Sequence, residues 1–310
     1  MSLPPTALVL ETLGQFALPA AGGAALVYVL YLALGRWAAA LGSAAAIIVG
    51  YAAANFTFAS LEWEGTFRLI PWRPNELSTW HSLPRAALAL TGAGLLTRWL
   101  GLLAARYVPE RRWWIPNLLV WLPRWVAVLI AGSWLIPAPL AQDYLWIKPA
   151  LAAAMLFSWI AVDGAARGGA SADAMLGMAA AFFAAAIVIV FAHFSLFMNV
   201  ALALSAALVG VGLASHAAKA DASGAVPAAI GFLPGLMLNA RYQTESLVPV
   251  ASFWLVALAP LAWLPLSHPW IARQNRCLLG IARWVLLIIP LAIAVALAMK
   301  YESLPPPDQM

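Results

Sequence analysis

The amino-acid sequence predicts an all-α fold, a polytopic integral membrane helical bundle of about ten transmembrane helices. Three observations predict it. Hydrophobic residues make up 64% of the 310 residues, only 17 Lys or Arg and 12 Asp or Glu are present, and the mean hydropathy is +0.88. So few charges cannot cover the surface of a water-soluble protein of this length. We therefore expect one transmembrane domain, 1–310, without a soluble domain.

Ten apolar blocks are each close to the length that crosses a hydrocarbon core as a helix, which is about 20 residues. In lipid the backbone must satisfy its own hydrogen bonds, so these blocks are predicted to be helices. They cover 14–35, 37–60, 85–105, 116–138, 145–163, 173–192, 195–215, 225–240, 248–267 and 278–299. The first two are separated only at Gly35 and Arg36, which predicts a helical hairpin.

The eighth block, 225–240, differs from the others. It is short and contains Pro227, Gly231, Pro234 and Gly235. Proline removes a backbone donor and glycine weakens a helix. The pattern therefore predicts a kinked, broken or re-entrant segment.

The distribution of basic residues predicts the orientation. If all ten blocks cross and the N-terminus is outside, eleven of the 17 Lys and Arg residues fall on the inner side. This satisfies the positive-inside rule. The N-terminus and C-terminus are thus predicted outside a bacterial-type cytoplasmic membrane, and the first block, which lacks a basic region before it, is expected to be retained. Arg98 and Arg124, near the inner ends of their blocks, are interpreted as snorkelling to the interface.

The longest polar connection, 61–84, is predicted on the outer side. One interpretation is an amphipathic segment lying on the outer leaflet, with Trp63 towards lipid and Glu64 and Arg68 towards water. The alternative is a cap over a cavity, in which Glu62 or Glu64 contacts a cation or a substrate.

A second polar run, 236–246, follows the eighth block directly. Asn239, Arg241, Gln243 and Glu245 offer both signs of charge and amides. Transporters place substrate sites at such helix breaks. The alternative is an ordinary loop with a local pair between Arg241 and Glu245, worth only tenths of a kcal/mol.

His193 lies close to Ser195 and Asn199 between the sixth and seventh blocks, again on the predicted outer side. A hydrogen bond between helices is one interpretation and a site role is the other. Because ionisable groups near lipid are costly unless paired or hydrated, we expect the outer polar residues to converge. The hypothetical substrate-binding set is Glu62, Glu64, Arg68, His193, Asn199, Asn239, Arg241 and Glu245.

No motif for a nucleotide, haem, zinc or nucleophile is found, and Cys277 is the only cysteine. We therefore predict no metal and no cofactor, and a catalytic residue cannot be assigned. The leading hypothesis is a permease-like or channel-like protein, or the membrane subunit of a transport assembly. The alternatives are a membrane-embedded enzyme acting on a lipid-linked or outer-leaflet substrate, and a structural scaffold. The expected partners are the lipid bilayer and another membrane protein, and not nucleic acid, because the cations are scattered singly or in pairs.

Overall fold

The computed structural model describes residues 14, 17–35, 38–62, 82–107, 114–136, 146–167, 171–193, 195–243, 246–267 and 276–302. Throughout these ranges the regular secondary structure is helical, so the all-α prediction is confirmed. This part of the chain contains ten α-helices, one for each apolar block; nine match their blocks to within a few residues, and the ninth covers only the first half of block 248–267. They are α1 (Leu18–Ala33), α2 (Ala39–Glu62), α3 (Ser82–Tyr107), α4 (Trp114–Leu135), α5 (Ile147–Arg167), α6 (Ser171–Phe191), α7 (Ser195–Ala218), α8 (Val226–Gln243), α9 (Val250–Leu258) and α10 (Arg276–Glu302). A 3₁₀ turn, Ser223–Ala225, precedes α8, and a second, Ala259–Ser267, extends α9.

Seven segments of the described chain are long and apolar enough to cross a membrane. They are Ser82–Ala104, Leu118–Leu135, Ile147–Ala166, Ser171–Phe191, Phe197–Ala218, Ser223–Gln243 and Leu278–Tyr301. Within the described side chains, three further helices have shorter apolar runs, Leu18–Ala33, Ala39–Ala52 and Val250–Leu266. The chain therefore has the helices of an integral membrane protein, with seven candidate crossings in the described residues, and the expected count of ten is not confirmed.

Helix α8 lies at the centre of the bundle. It contacts α2, α3, α4, α5, α6, α7 and α9, and 94% of its span is buried. The helix continues through Pro234, which excludes the alternative of a broken segment. Its glycines have a packing role: a Cβ at Gly231 would lie 2.9 Å from the Cα of Ala87, and one at Gly235 would lie 2.5 Å from Leu135. Small residues of this kind let membrane helices approach closely.

The predicted hairpin of the first two helices is confirmed, because α1 and α2 pack along each other. The turn begins at Gly35, whose φ of 119° is easily adopted only by glycine. Helix α7 completes this group by packing on both helices. A Cβ at Gly50 would lie 2.6 Å from that of Ala207, so a close α2–α7 contact depends on this glycine.

Candidate functional site

Ionisable side chains from four helices and one loop gather at one end of the bundle, which we call the charged end. It is where α3, α5 and α7 finish and where α4, α6 and α8 begin. Its members are Arg98, Arg124, Asp163, His216, Lys219 and Asp221. This is the end that the sequence predicts to face inwards.

The deeper part of the charged end is a buried ion pair between α4 and α5. Nη2 of Arg124 lies 2.8 Å from Oδ2 of Asp163, and the two side chains are only 6% and 9% exposed. The guanidinium also lies over the ring of Trp159, 4.9 Å from its centroid, a favourable cation–π arrangement. The prediction that Arg124 snorkels to water was therefore wrong: an aspartate on the neighbouring helix neutralises it inside the protein, where an unpaired charge is costly.

The second ion pair lies nearer the surface and joins α3 to the loop between α7 and α8. Arg98 donates to the carboxylate of Asp221 through Nη2 and to Oγ of Ser223 through Nη1, the latter at 2.6 Å. The Ser223 amide donates to Oδ1 of the same aspartate at 2.8 Å. Partial burial by itself raises the pKa of Asp221, but the bonds from Arg98 and Ser223 outweigh it, so this pKa lies below its ordinary value.

The loop that carries Asp221 is fixed on several sides. Tyr28 Oη of α1 donates to the backbone carbonyl of Asp221 at 3.0 Å, and the Ala222 amide donates to Ser171 Oγ of α6 at 2.7 Å. Gly224 lies against the backbone of α2, where an added Cβ would fall on the carbonyl oxygen of Ala40. The position of the carboxylate is thus set by three helices besides α3.

Three cavities border Arg98, and two of them also contact other members of the charged end. The inner one is small, about 10 Å³, and is lined by Arg98, both members of the buried pair, Trp159 and Ser223. It is close to the smallest space that holds a water molecule. The outer one opens to the surface and has a volume of about 740 Å³, within the range of small-molecule sites. Arg98 therefore stands between the open cavity and the buried ion pair.

The open cavity is lined by residues of both signs. His216 and Lys219 come from the end of α7, Ser171 from the start of α6, and Arg98 and Asp221 from the second ion pair. Three basic groups and one acid make its wall basic. Such a wall favours an anionic or zwitterionic solute over a cation.

Half of the predicted outer set lies outside the described side chains. Glu64 and Arg68, within 63–81, and Glu245 are not among the described residues. Glu62 is the last residue of α2, but its side chain is not described. Convergence of 61–84 with 236–246 therefore stays a prediction.

Asn239 and Arg241 lie at the other end of α8. Asn239 is 1% exposed, and its Nδ2 donates to the carbonyls of Gly235 at 2.8 Å and Leu135 at 3.3 Å. Its Oδ1 accepts no hydrogen bond from the described residues. Arg241 is half-buried beside a narrow apolar crevice shared with Trp254.

His193 and Asn199 lie where α6 connects to α7. His193 is exposed with a φ of 59°, and its amide donates to the carbonyl of Val190 at 2.9 Å, so its backbone ends α6 in a left-handed cap. Asn199 is half-buried. Among the described residues, no hydrogen bond joins either side chain to Asn239.

The charged end was missed because its partners are distant in sequence. Arg124 and Asp163 are 39 residues apart, and Arg98 and Asp221 are 123 apart. One signal was present: Asp163 ends the fifth apolar block, and an acid at that depth needs a basic partner. Arg124, near the inner end of the adjacent fourth block, was a candidate for that partner.

Within the described residues, no three His, Cys, Asp or Glu side chains come close enough together to hold a metal ion. Comparison of the chain with models of protein families, with curated protein sequences and with solved structures yields no match.

Proposed function

We propose that the protein is a multi-pass permease in which a solute passes through the charged end of the bundle. The observation that carries this proposal is the buried Arg124–Asp163 pair, which lines a cavity that Arg98 separates from the open surface. Ionisable groups inside a membrane bundle are expensive and typically mark a substrate or ion pathway. A purely structural contact between α4 and α5 would not require them.

The two ion pairs form successive steps along such a path. The Arg98–Asp221 pair is about one-third exposed and borders the open cavity, whereas the Arg124–Asp163 pair is buried behind it. A charged solute can replace one member of each pair in turn, so that no charge is left uncompensated in the membrane. The start of α8 lines the inner cavity through Pro227, and this helix contacts most of the bundle, so the path would continue along α8.

The proposal includes ten crossings and the orientation inferred from the basic residues. With both termini outside, the charged end faces the inner side of a bacterial-type cytoplasmic membrane. The polar residues of the opposite end of α8, with Arg241 among them, would then form the outer opening. The exposed apolar faces of α3 and α10 would contact the lipid bilayer, since only 28% and 22% of their spans are buried.

Reconstitution into liposomes tests the proposal. Flux of a panel of radiolabelled organic anions, amino acids and sugars is compared between wild type, Asp163→Asn and Asp221→Asn, with protein-free liposomes as the blank. Lys148→Asn is the matched control, because Lys148 is an exposed charge near the start of α5, far along that helix from Asp163.

The expected result, expressed per folded protein because Asp163→Asn also destabilises the bundle, is flux of at least one solute above the blank, lowered at least tenfold by either aspartate substitution and unchanged in the control. Wild-type protein that is folded but moves none of the panel contradicts a permease. Equal flux in all variants contradicts the path through the charged end.

A further inference from the structure

We infer that the open cavity of the charged end binds a phosphate-bearing organic anion, held by Lys219, His216 and Ser171. The inference rests on the proposed function, because it names the class of solute that the same site would bind. It is carried by the charge balance of the cavity, by the backbone at Lys219 and by the size of the space.

The charge balance leaves the cavity positive. The guanidinium of Arg98 is matched by Asp221, whereas Lys219 and His216 make no ion pair with any described residue. Asp173, in the first turn of α6, is not among the lining residues, and it interacts electrostatically with Arg283 of α10. One permanent positive charge therefore borders the cavity without a compensating acid among the described residues.

The donors at the cavity match a phosphate. Lysine binds phosphate as a compact point charge with three donors, and His216 adds a ring N–H. Ser171 accepts the Ala222 amide with its Oγ and keeps its own hydroxyl proton to donate. Helix α6 begins at this serine.

The backbone of Lys219 fixes where its side chain starts, at the end of α7 beside the open cavity. Its φ is 48°, and its amide and that of Ala220 donate to the carbonyls of His216 and Ser215, which is the Schellman ending of a helix. Glycine or asparagine normally takes this position, because a left-handed conformation costs other residues about 1–2 kcal/mol.

The open cavity has room for an organic ligand. A volume of about 740 Å³ is much larger than a bare phosphate and lies within the range of small-molecule sites. Ala166, Ala172 and Ala220 provide an apolar part of the wall. The phosphate group would lie at Lys219, and the carbon skeleton would contact these alanines.

The test measures binding to the full-length protein in nanodiscs. Two sources of the phosphate group are compared: soluble glycerol 3-phosphate, titrated by calorimetry into phosphatidylcholine nanodiscs, and phosphatidylglycerol, measured as copurified lipid by mass spectrometry. The variant is Lys219→Asn, since asparagine tolerates the left-handed backbone and removes only the charge. The matched control is Lys148→Asn.

We expect the wild type to bind one of the two probes, and Lys219→Asn to weaken that binding at least tenfold while thermal stability is kept or raised. Glycerol 3-phosphate binding identifies a soluble solute, and selective retention of phosphatidylglycerol identifies a lipid headgroup. Failure of both probes to bind the wild type, or equal binding by Lys219→Asn, overturns the inference.

The inference and the proposed function fail separately. Anion binding without flux of any solute would support the phosphate site and refute the permease. Flux that falls in Asp163→Asn but not in Lys219→Asn would support the permease and refute the phosphate site.

Discussion

Replacing Asp163 by asparagine should destabilise the protein strongly. The change keeps the shape of the side chain but leaves the guanidinium of Arg124, 6% exposed, without its counter-charge. Removing one partner of a buried ion pair costs about 3–5 kcal/mol, and an arginine in the centre of a membrane helix costs about 2.5–3.5 kcal/mol on the insertion scale. We therefore expect a loss of about 3 kcal/mol, which is a factor of roughly 100 in the unfolding equilibrium.

The loss can be measured by unfolding in mixed micelles of dodecylmaltoside with increasing dodecyl sulfate, followed by circular dichroism. A double variant, Arg124→Met with Asp163→Leu, should recover most of the stability, because it leaves no unpaired charge. Lys148→Asn on the same helix should change the free energy of unfolding by less than about 0.5 kcal/mol. A loss below about 1 kcal/mol for Asp163→Asn, or a double variant as unstable as the single one, would refute the argument that the pair neutralises a buried charge.

Three further predictions concern other contacts of the bundle. Gly224→Ala should lower the free energy of unfolding by about 3 kcal/mol, since its Cβ meets a backbone carbonyl rather than a flexible side chain. Gly280→Ala, with open space around it, is the control and should change the thermal midpoint little. Equal midpoints for the two variants would contradict the close approach of Gly224 to α2. The folded-state pKa of Asp221 is lowered, so its contribution to stability is present above the ordinary carboxyl pKa of about 3.9 and is lost as pH falls through the lower folded value. Asp221→Asn or Arg98→Gln should remove that pH dependence in thermal unfolding scans between pH 2 and 5, and an unchanged profile would count against the pair. Asn239→Leu should cost about 1 kcal/mol or less, because hydrogen bonds between membrane helices average about 0.6 kcal/mol, and a much larger shift of the midpoint would indicate a different role.

The helices could be predicted from the sequence because a single physical rule determines them. Backbone groups in lipid must bond within their own segment, so each apolar block, such as 173–192, became a helix with nearly the same ends, here Ser171–Phe191. The short break between the first two blocks, at Gly35, predicted the hairpin. The eighth block was harder, because Pro234 breaks a helix in isolation but is tolerated in α8 where neighbouring helices surround it.

The charged end could not be predicted in the same way. Pairing of Arg124 with Asp163 depends on which helices become neighbours, and hydropathy contains no information on that. Arg98 was interpreted by its distance from water alone, although its partner lies in a loop after four further helices. An ionisable residue inside an apolar block is therefore better taken as a prediction of a partner than as a prediction of contact with the interface.

The central position of α8 has a consequence for how the protein is made. Its mean hydropathy of 1.3 is the lowest of the seven candidate spans in the described chain, against 2.5 for α6, so it gains least from entering lipid alone. It is also synthesised after α2 to α7, six of the helices that surround it, and before α9. Insertion of α8 into the membrane should therefore depend on a space that the earlier helices have already formed. The substitutions that α8 tolerates should then be limited by side-chain volume rather than by hydrophobicity. A substitution that enlarges α8 would then appear first as a defect of insertion during translation, before any effect on the finished protein.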